Sequence, residues 1–254
     1  MKLRIAIVFF MVLTLSNAQT TPLANQKTAV LIVGQDALEH SIGHLDGLAE
    51  IFRENGVFVY KFYFPNAHWA DIKAKAMNCS FLIYTGHGFA NGGFDGEFGG
   101  MYVNEFVYAS TIAKEVKFKN KPLIMYFNAC GSHGSSAGDP PDIGIEEAAK
   151  RTSDTALPFF MAGAGAYFAT SGYGYELLED FFGGMPLQTC FKVYSAGYNE
   201  GILRYRAITS SNALNNKYIG IAGQQTHNGR GKYYGTAFVG PMHFTINSMS
   251  QISK

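Results

Sequence analysis

Residues 81–88, FLIYTGHG, and 123–130, LIMYFNAC, decide the fold. Each is a short apolar run that stops abruptly, one on a histidine between glycines, the other on a cysteine after an alanine. Runs that stay apolar along their length, such as AVLIV at 29–33, belong to strands buried on both faces, as in a parallel sheet covered by helices on each side. Around them the chain keeps an α/β rhythm. A first strand runs from Thr28 to Gly34, and a helix over roughly Leu38 to Asn55 aligns Leu45, Leu48, Ala49 and Phe52 on one face, with Gly56 as its C-terminal cap. A second strand ends at Pro65, a short helix spans Trp69 to Met77, and the third and fourth strands begin at Cys79 and Pro122. Beyond them the spacing predicts a helix near Ile143 to Arg151, a small-residue strand from Phe159 to Thr170 and helices near Tyr173 to Phe182 and Leu187 to Tyr198. A closing edge strand is predicted from Lys232 to Gly240, while 204–230 has no clear pattern. The expectation is one α/β domain over 27–254, a three-layer sandwich around a mostly parallel sheet of about six strands with helices on both faces.

A composition of 47% hydrophobic and 15% charged residues is that of a globular chain. Its start has the pattern of a cleavable export signal: Lys2 and Arg4, the apolar run IAIVFFMVLTL, then small residues with a cut expected after Ala18. A short segment, 19–26, then leads into the domain. A membrane anchor would need about 20 apolar residues, more than this run offers. The mature chain is therefore expected to be secreted or periplasmic. Without Lys2 and Arg4 the 20 basic residues fall one short of the 19 acidic ones, which gives no electrostatic argument for nucleic acid or an anionic membrane as partner. Three cysteines, Cys79, Cys130 and Cys190, are too few for a disulfide scaffold in an oxidising compartment. An odd one is left over, and such a thiol asks for a functional explanation.

Chemistry in parallel sheets collects at the carboxyl ends of the strands. If the third and fourth strands are neighbours, at about 4.8 Å spacing, His87 and Cys130 share one crevice. The thiolate is the reactive form of cysteine, and an imidazole within reach takes the thiol proton. Glycine at position 88 allows a close approach to a substrate carbonyl, so the N–H groups of Gly88 and Cys130 form a candidate oxyanion hole.

With these residues in place the sequence resembles the caspase-like cysteine peptidases, the superfamily of caspases, metacaspases, legumains, gingipains, separases and CHAT domains, whose hallmark is an apolar strand ending in His-Gly followed by one ending in Ala-Cys. LDGLAEIFRENGVFV at 45–59 and FPNAHWADIKAKA at 64–76 look like the elements before the histidine in metacaspases. The stretch 161–193 and KYYGTAFVG at 232–240 are similar to the later strand, helix and closing strand of CHAT domains, the closest match in pattern. The resemblance implies a caspase-like sandwich, with His87 as general base and Cys130 as nucleophile. It also implies hydrolysis of a peptide bond in a protein or peptide substrate through a thioester, with no cofactor. Where CHAT domains usually carry Trp-Pro, this chain has Ser171-Gly172-Tyr173, which with Asp36 after the first strand are the candidate substrate-binding residues. Asp95 and Glu97, in the glycine-rich stretch after His87, read as solvated loop acids.

Competing signals are weaker. Gly134 to Gly138 matches the G-x-S-x-G pattern around Ser136, but a nucleophile elbow sits directly between strand and helix, and Asp139-Pro140-Pro141 stops a helix from starting there. His133 is an alternative base, on what reads as a flexible loop. His40 and His44 lack a third metal ligand and read as surface residues, and Gly163-Ala164-Gly165 reads as close packing inside a strand. The second functional class is a non-catalytic binding module on the same framework, and a third is a serine-type hydrolase using Ser136.

Overall fold

The computed structural model describes residues 20–35, 37, 40–88, 99–196, 202–208, 212–225 and 231–249. The expected export signal, residues 1–18, lies outside them, as do Asp36, Asp95 and Glu97.

A mixed eight-stranded sheet runs through the centre, in the order β2 (Phe58–Tyr63), β1 (Thr28–Val33), β3 (Phe81–Thr85), β6 (Leu123–Phe127), β7 (Ala166–Thr170), β10 (Lys232–Gly240), β9 (Lys217–Gln225) and β8 (Ile202–Ile208). Its parallel part consists of β1 (Thr28–Val33), β2 (Phe58–Tyr63), β3 (Phe81–Thr85), β6 (Leu123–Phe127) and β7 (Ala166–Thr170). Every residue of β1, β3, β6 and β7 is buried, as their unbroken apolar runs require. Because side chains alternate across a strand, Leu82, Tyr84, Ile124 and Tyr126 enter one core, and Phe81, Ile83, Leu123, Met125 and Phe127 enter the other. The first core is closed by α2 (Trp69–Ala76), α3 (Ala109–Glu115) and α4 (Ile145–Met161), through Ile72, Ile112, Ala148, Ala156 and Phe159. α1 (Ser41–Glu54), α5 (Tyr175–Phe182) and α6 (Leu187–Ala196) close the second, through Leu45, Phe52, Leu177, Phe181 and Phe191. Helices thus cover both faces, and no helix among the described residues is long and apolar enough to cross a membrane. Gly56 caps α1 as its position suggests: its N–H donates to Arg53 O and that of Val57 to Phe52 O, both at 2.9 Å.

Several elements differ from the sequence expectation. The sheet has eight strands, not about six, because the unread segment forms β8 (Ile202–Ile208) and β9 (Lys217–Gln225), an antiparallel pair. β10 (Lys232–Gly240) is consequently not an edge strand; it lies between β7 and β9, antiparallel to both. The segment from Phe159 to Met161 continues α4, since Phe159 and Phe160 extend the buried face begun by Ala148, Ala149 and Ala156, and the following strand starts only at Ala166. Gly163-Ala164-Gly165 therefore turns the chain between helix and strand, with Gly165 packed against Phe244 and the Lys121 carbonyl. Between β3 and β6 the chain also forms a small hairpin, β4 (Gly100–Tyr102) with β5 (Phe106–Tyr108), and α3.

Candidate active site

β3 and β6 are parallel neighbours with Thr85 opposite Phe127, so both chains leave the sheet at one rim. His87 and Cys130 follow within a few residues. Contact between the two strand ends is direct. A Cβ built on Gly88 would fall 2.5 Å from Cys130 N and 2.6 Å from Ala129 C, distances no real side chain tolerates. The glycine is thus required for a different reason than the sequence suggests: the space a side chain would fill is taken by the peptide of Cys130 itself. Among the described residues, neither the Gly88 nor the Cys130 backbone N–H has an acceptor.

The histidine turn is held from below by a tyrosine. Tyr84, fully buried, donates its hydroxyl to His87 O at 2.8 Å and accepts from Tyr102 N at 3.0 Å. Tyr102 O in turn accepts from Gln35 N at 2.8 Å, so one phenol links the end of β1, the β4 strand and the backbone of His87. Burial pushes the Tyr84 phenol well above its ordinary value, against the smaller opposing effect of the Tyr102 N–H, so it stays a donor. The His87 imidazole is exposed beside the Tyr102 ring, at 6.3 Å between centroids, and has no hydrogen-bond partner among the described residues.

The loop after Cys130 is buried and bonded, not flexible. Asn128 N donates to Thr170 O (2.9 Å), Gly131 N to Ser135 O (3.0 Å) and Ser132 Oγ to Ala129 O (2.6 Å). Ser135 and Tyr234 of β10 are joined twice, Ser135 N to Tyr234 O at 3.1 Å and Tyr234 N to Ser135 Oγ at 2.9 Å. His133, only 2% exposed, has Nδ1 at 2.8 Å from Tyr234 O; a carbonyl accepts, so this nitrogen carries the proton. Burial depresses its pKa to about 4, against the upward pull of the Tyr234 carbonyl and of Asp139. His133 is a neutral tether of the loop and is committed to β10. On the far side of the loop the Arg151 guanidinium from α4 bonds both carboxylate oxygens of Asp139 at 2.8 Å, and Ser136 N donates to Asp139 Oδ2 at 2.6 Å.

All three cysteines are free. Cys79 and Cys190 sit in the two cores on opposite faces of the sheet, too separated to pair. Burial raises both thiols, that of Cys190 to about 12, which keeps them unreactive. Cys130, half-buried at the rim, is the accessible one.

Ser136 lies within this loop, with β6 ended at Phe127 and α4 starting only at Ile145, so it is not a strand-to-helix nucleophile elbow. Ser171-Gly172-Tyr173 leaves β7 beside the Cys130 strand, but each is engaged. Ser171 N donates to Gly235 O at 2.8 Å and Gly172 N to Thr170 Oγ1 at 3.2 Å. The Tyr173 ring stacks on His44 at 3.9 Å and its hydroxyl meets Ser41 Oγ at 3.1 Å, lining a cleft of roughly 560 Å³ between α1, α5 and α6. His40 and His44 lie edge to face at 5.3 Å, and among the described residues no group of three or more His, Cys, Asp or Glu side chains is placed to hold a metal. Tyr84, Tyr102, Arg151 and Asp139 went unread as parts of the site; only the position of Tyr84 just before the histidine turn hinted at it. No protein-family model matches the chain, and no curated protein is significantly similar to it.

Proposed function

We propose that this protein is an exported cysteine endopeptidase of caspase-like fold, with residues 1–18 as its leader, His87 as base and Cys130 as nucleophile. One observation carries the reading: an exposed imidazole and an accessible thiol follow adjacent parallel strands at one rim, where Gly88 packs directly against the Cys130 peptide and neither backbone N–H has an acceptor among the described residues. His87 takes the thiol proton, and the thiolate sulfur attacks the carbonyl carbon of a peptide bond. The resulting oxyanion is received by the two N–H groups, whose fixed dipoles stabilise it without reorganising. Collapse breaks the C–N bond, the amine leaves with the proton from His87, and a water activated by the same imidazole hydrolyses the thioester.

The test is iodoacetamide titration of the mature protein against a mixed peptide library. Cleavage is expected to vanish in proportion to alkylation at Cys130, and to be unchanged in Ser136→Ala. Cleavage that survives complete alkylation of Cys130 rules the mechanism out, and a protein that cleaves nothing in any state is the binding module. Gly88→Ala probes the oxyanion geometry. The added methyl must drive the two strand ends apart, and misplacement of about 1 Å at a reacting centre costs about 10²-fold in rate. That loss should be in kcat, with the fold retained by circular dichroism.

A further inference from the structure

We propose that the cleft at the rim opposite Cys130, lined by Lys121 and Lys217, binds a doubly charged phosphate group, either free or borne by a small organic molecule. The proposal is independent of the cysteine chemistry and uses residues to which the peptidase reading gives no role.

Strand register builds the cleft. β6 and β7 start at this rim, at Leu123 and Ala166, and β10, antiparallel to β7, ends there with Gly240 opposite Tyr218 of β9. Lys121 therefore stands just before one strand, Lys217 opens another, and the chain from Pro241 to Phe244 leaves a third. With Gly163-Ala164-Gly165 they enclose roughly 570 Å³, a volume in the range of small-molecule sites. The walls are fixed by the fold. Gly165 N donates to Pro122 O at 2.9 Å, Leu187 N to Phe244 O at 2.8 Å and Lys217 N to Leu214 O at 3.0 Å. Phe244 is 2% exposed and so close to Gly165 that a Cβ there would fall 2.4 Å from its Cε2.

The lining is one-sided in charge. Lys121, Lys217 and His243 supply nitrogen groups, Asn216, Tyr218 and Ser248 supply further polar groups, and no Asp or Glu is among the described residues that line the cleft. Neither ammonium has a hydrogen bond or a carboxylate partner among the described residues; that of Lys217 lies 5.6 Å from the centroid of the Phe160 ring. A helix C-terminus can stabilise a cation, and Phe160 belongs to the last turn of α4. The carbonyls there are already engaged, however: Pro158 O accepts from Ala162 N at 3.0 Å, Phe159 O from Ala164 N at 2.9 Å, Phe160 O from Gly163 N at 3.1 Å and Ala162 O from Phe118 N at 2.8 Å. Burial lowers the Lys217 pKa, and the positive charge of Lys121 lowers it further, so the two ammonium groups oppose each other across the cleft. One negative charge offsets only one of them. A phosphate group carries close to two above its second pKa of about 6, and lysine binds it as a point charge. Phosphate alone fills a small part of this volume, and Pro241, Met242 and Phe244 offer apolar surface to an organic group attached to it.

Isothermal titration calorimetry of the mature protein at fixed ionic strength and about pH 8, where phosphate is doubly charged, tests this with inorganic phosphate and phenyl phosphate as probes. One saturable site per chain is expected. Lys121→Met and Lys217→Met should each weaken it by about tenfold or more, the effect of losing one charged donor, while Lys114→Met on α3 should leave it unchanged. Lys121 is exposed, so Lys121→Met keeps the fold and decides the matter if Lys217→Met does not. Phenyl phosphate binding about tenfold tighter than inorganic phosphate assigns the site to a phosphorylated organic molecule, whose ring is buried on the apolar wall. Equal affinities assign it to free phosphate. No saturable binding of either probe, an affinity unchanged by Lys121→Met, or displacement of phosphate by acetate at the same ionic strength overturns the proposal.

Discussion

Replacing Cys130 by alanine should bring peptide cleavage down to background, and replacing His87 by alanine should lower kcat/KM by roughly three to four powers of ten, within the range general acid–base catalysis spans at its upper end. Both variants should fold. His87 is exposed and Cys130 is only half-buried, so neither substitution opens a large cavity. The double variant is the more telling measurement. A base and a nucleophile that act as a unit fail together, so removing both should cost little more than removing the cysteine. Additive losses would mean that the imidazole acts elsewhere, and residual cleavage by Cys130→Ala sensitive to a serine reagent would move the chemistry to another side chain. The backbone N–H groups of Gly88 and Cys130 survive both substitutions, so the folded single variants should still bind the acid product of the substrate even when turnover is gone.

How much of this was legible depended on where the physical signal lives. FLIYT and LIMYF announce themselves because strands buried on both faces have no polar positions, and the histidine and cysteine at their ends need only strand adjacency to meet. That adjacency is a tertiary fact, expected from right-handed crossovers and found in the register of Thr85 with Phe127. The errors have equally plain causes. Phe159, Phe160 and Met161 read as strand from their bulk, but they close the last turn of a helix whose buried face began at Ala148. β4 and β5 are too short for any period to emerge, and the β8–β9 pair, glycine-containing in β9, lacks the unbroken apolar run that marks the central strands. For Tyr84 the only local hint is its place just before the histidine turn, since a tyrosine at a strand end is ordinary until the groups facing its hydroxyl are known. Arg151 ends the helix predicted from Ile143, and its partner comes from a loop, which no spacing rule anticipates.

That partner carries the largest stability prediction. Between β6 and α4 the chain has no regular structure, and its hold on the fold comes from Tyr234 on one side and from the Arg151–Asp139 pair on the other. The two side chains are 5% and 6% exposed, and Arg151 Nε also bonds Glu147 at 2.9 Å. Burial alone would lower the Arg151 pKa, yet the hydrogen bonds it donates to Asp139 and Glu147 and their charges outweigh it and leave the value raised. Asp139→Ala strands most of that charge away from water and frees Ser136 N as well, so it should cost about 3–5 kcal/mol, the range for breaking one half of a buried pair. Lys150–Asp154, one turn away with side chains 56% and 34% exposed, is the natural control and should contribute no more than about 1 kcal/mol. Urea midpoints at constant m-value separate the two. Because the Cys130 loop loses its anchor, Asp139→Ala should also lower the rate of alkylation at Cys130 under conditions where the protein is still folded. An Asp139→Ala variant within about 1 kcal/mol of the wild type would mean that the Tyr234 side holds the loop unaided, with the ion pair incidental to the geometry of the cysteine.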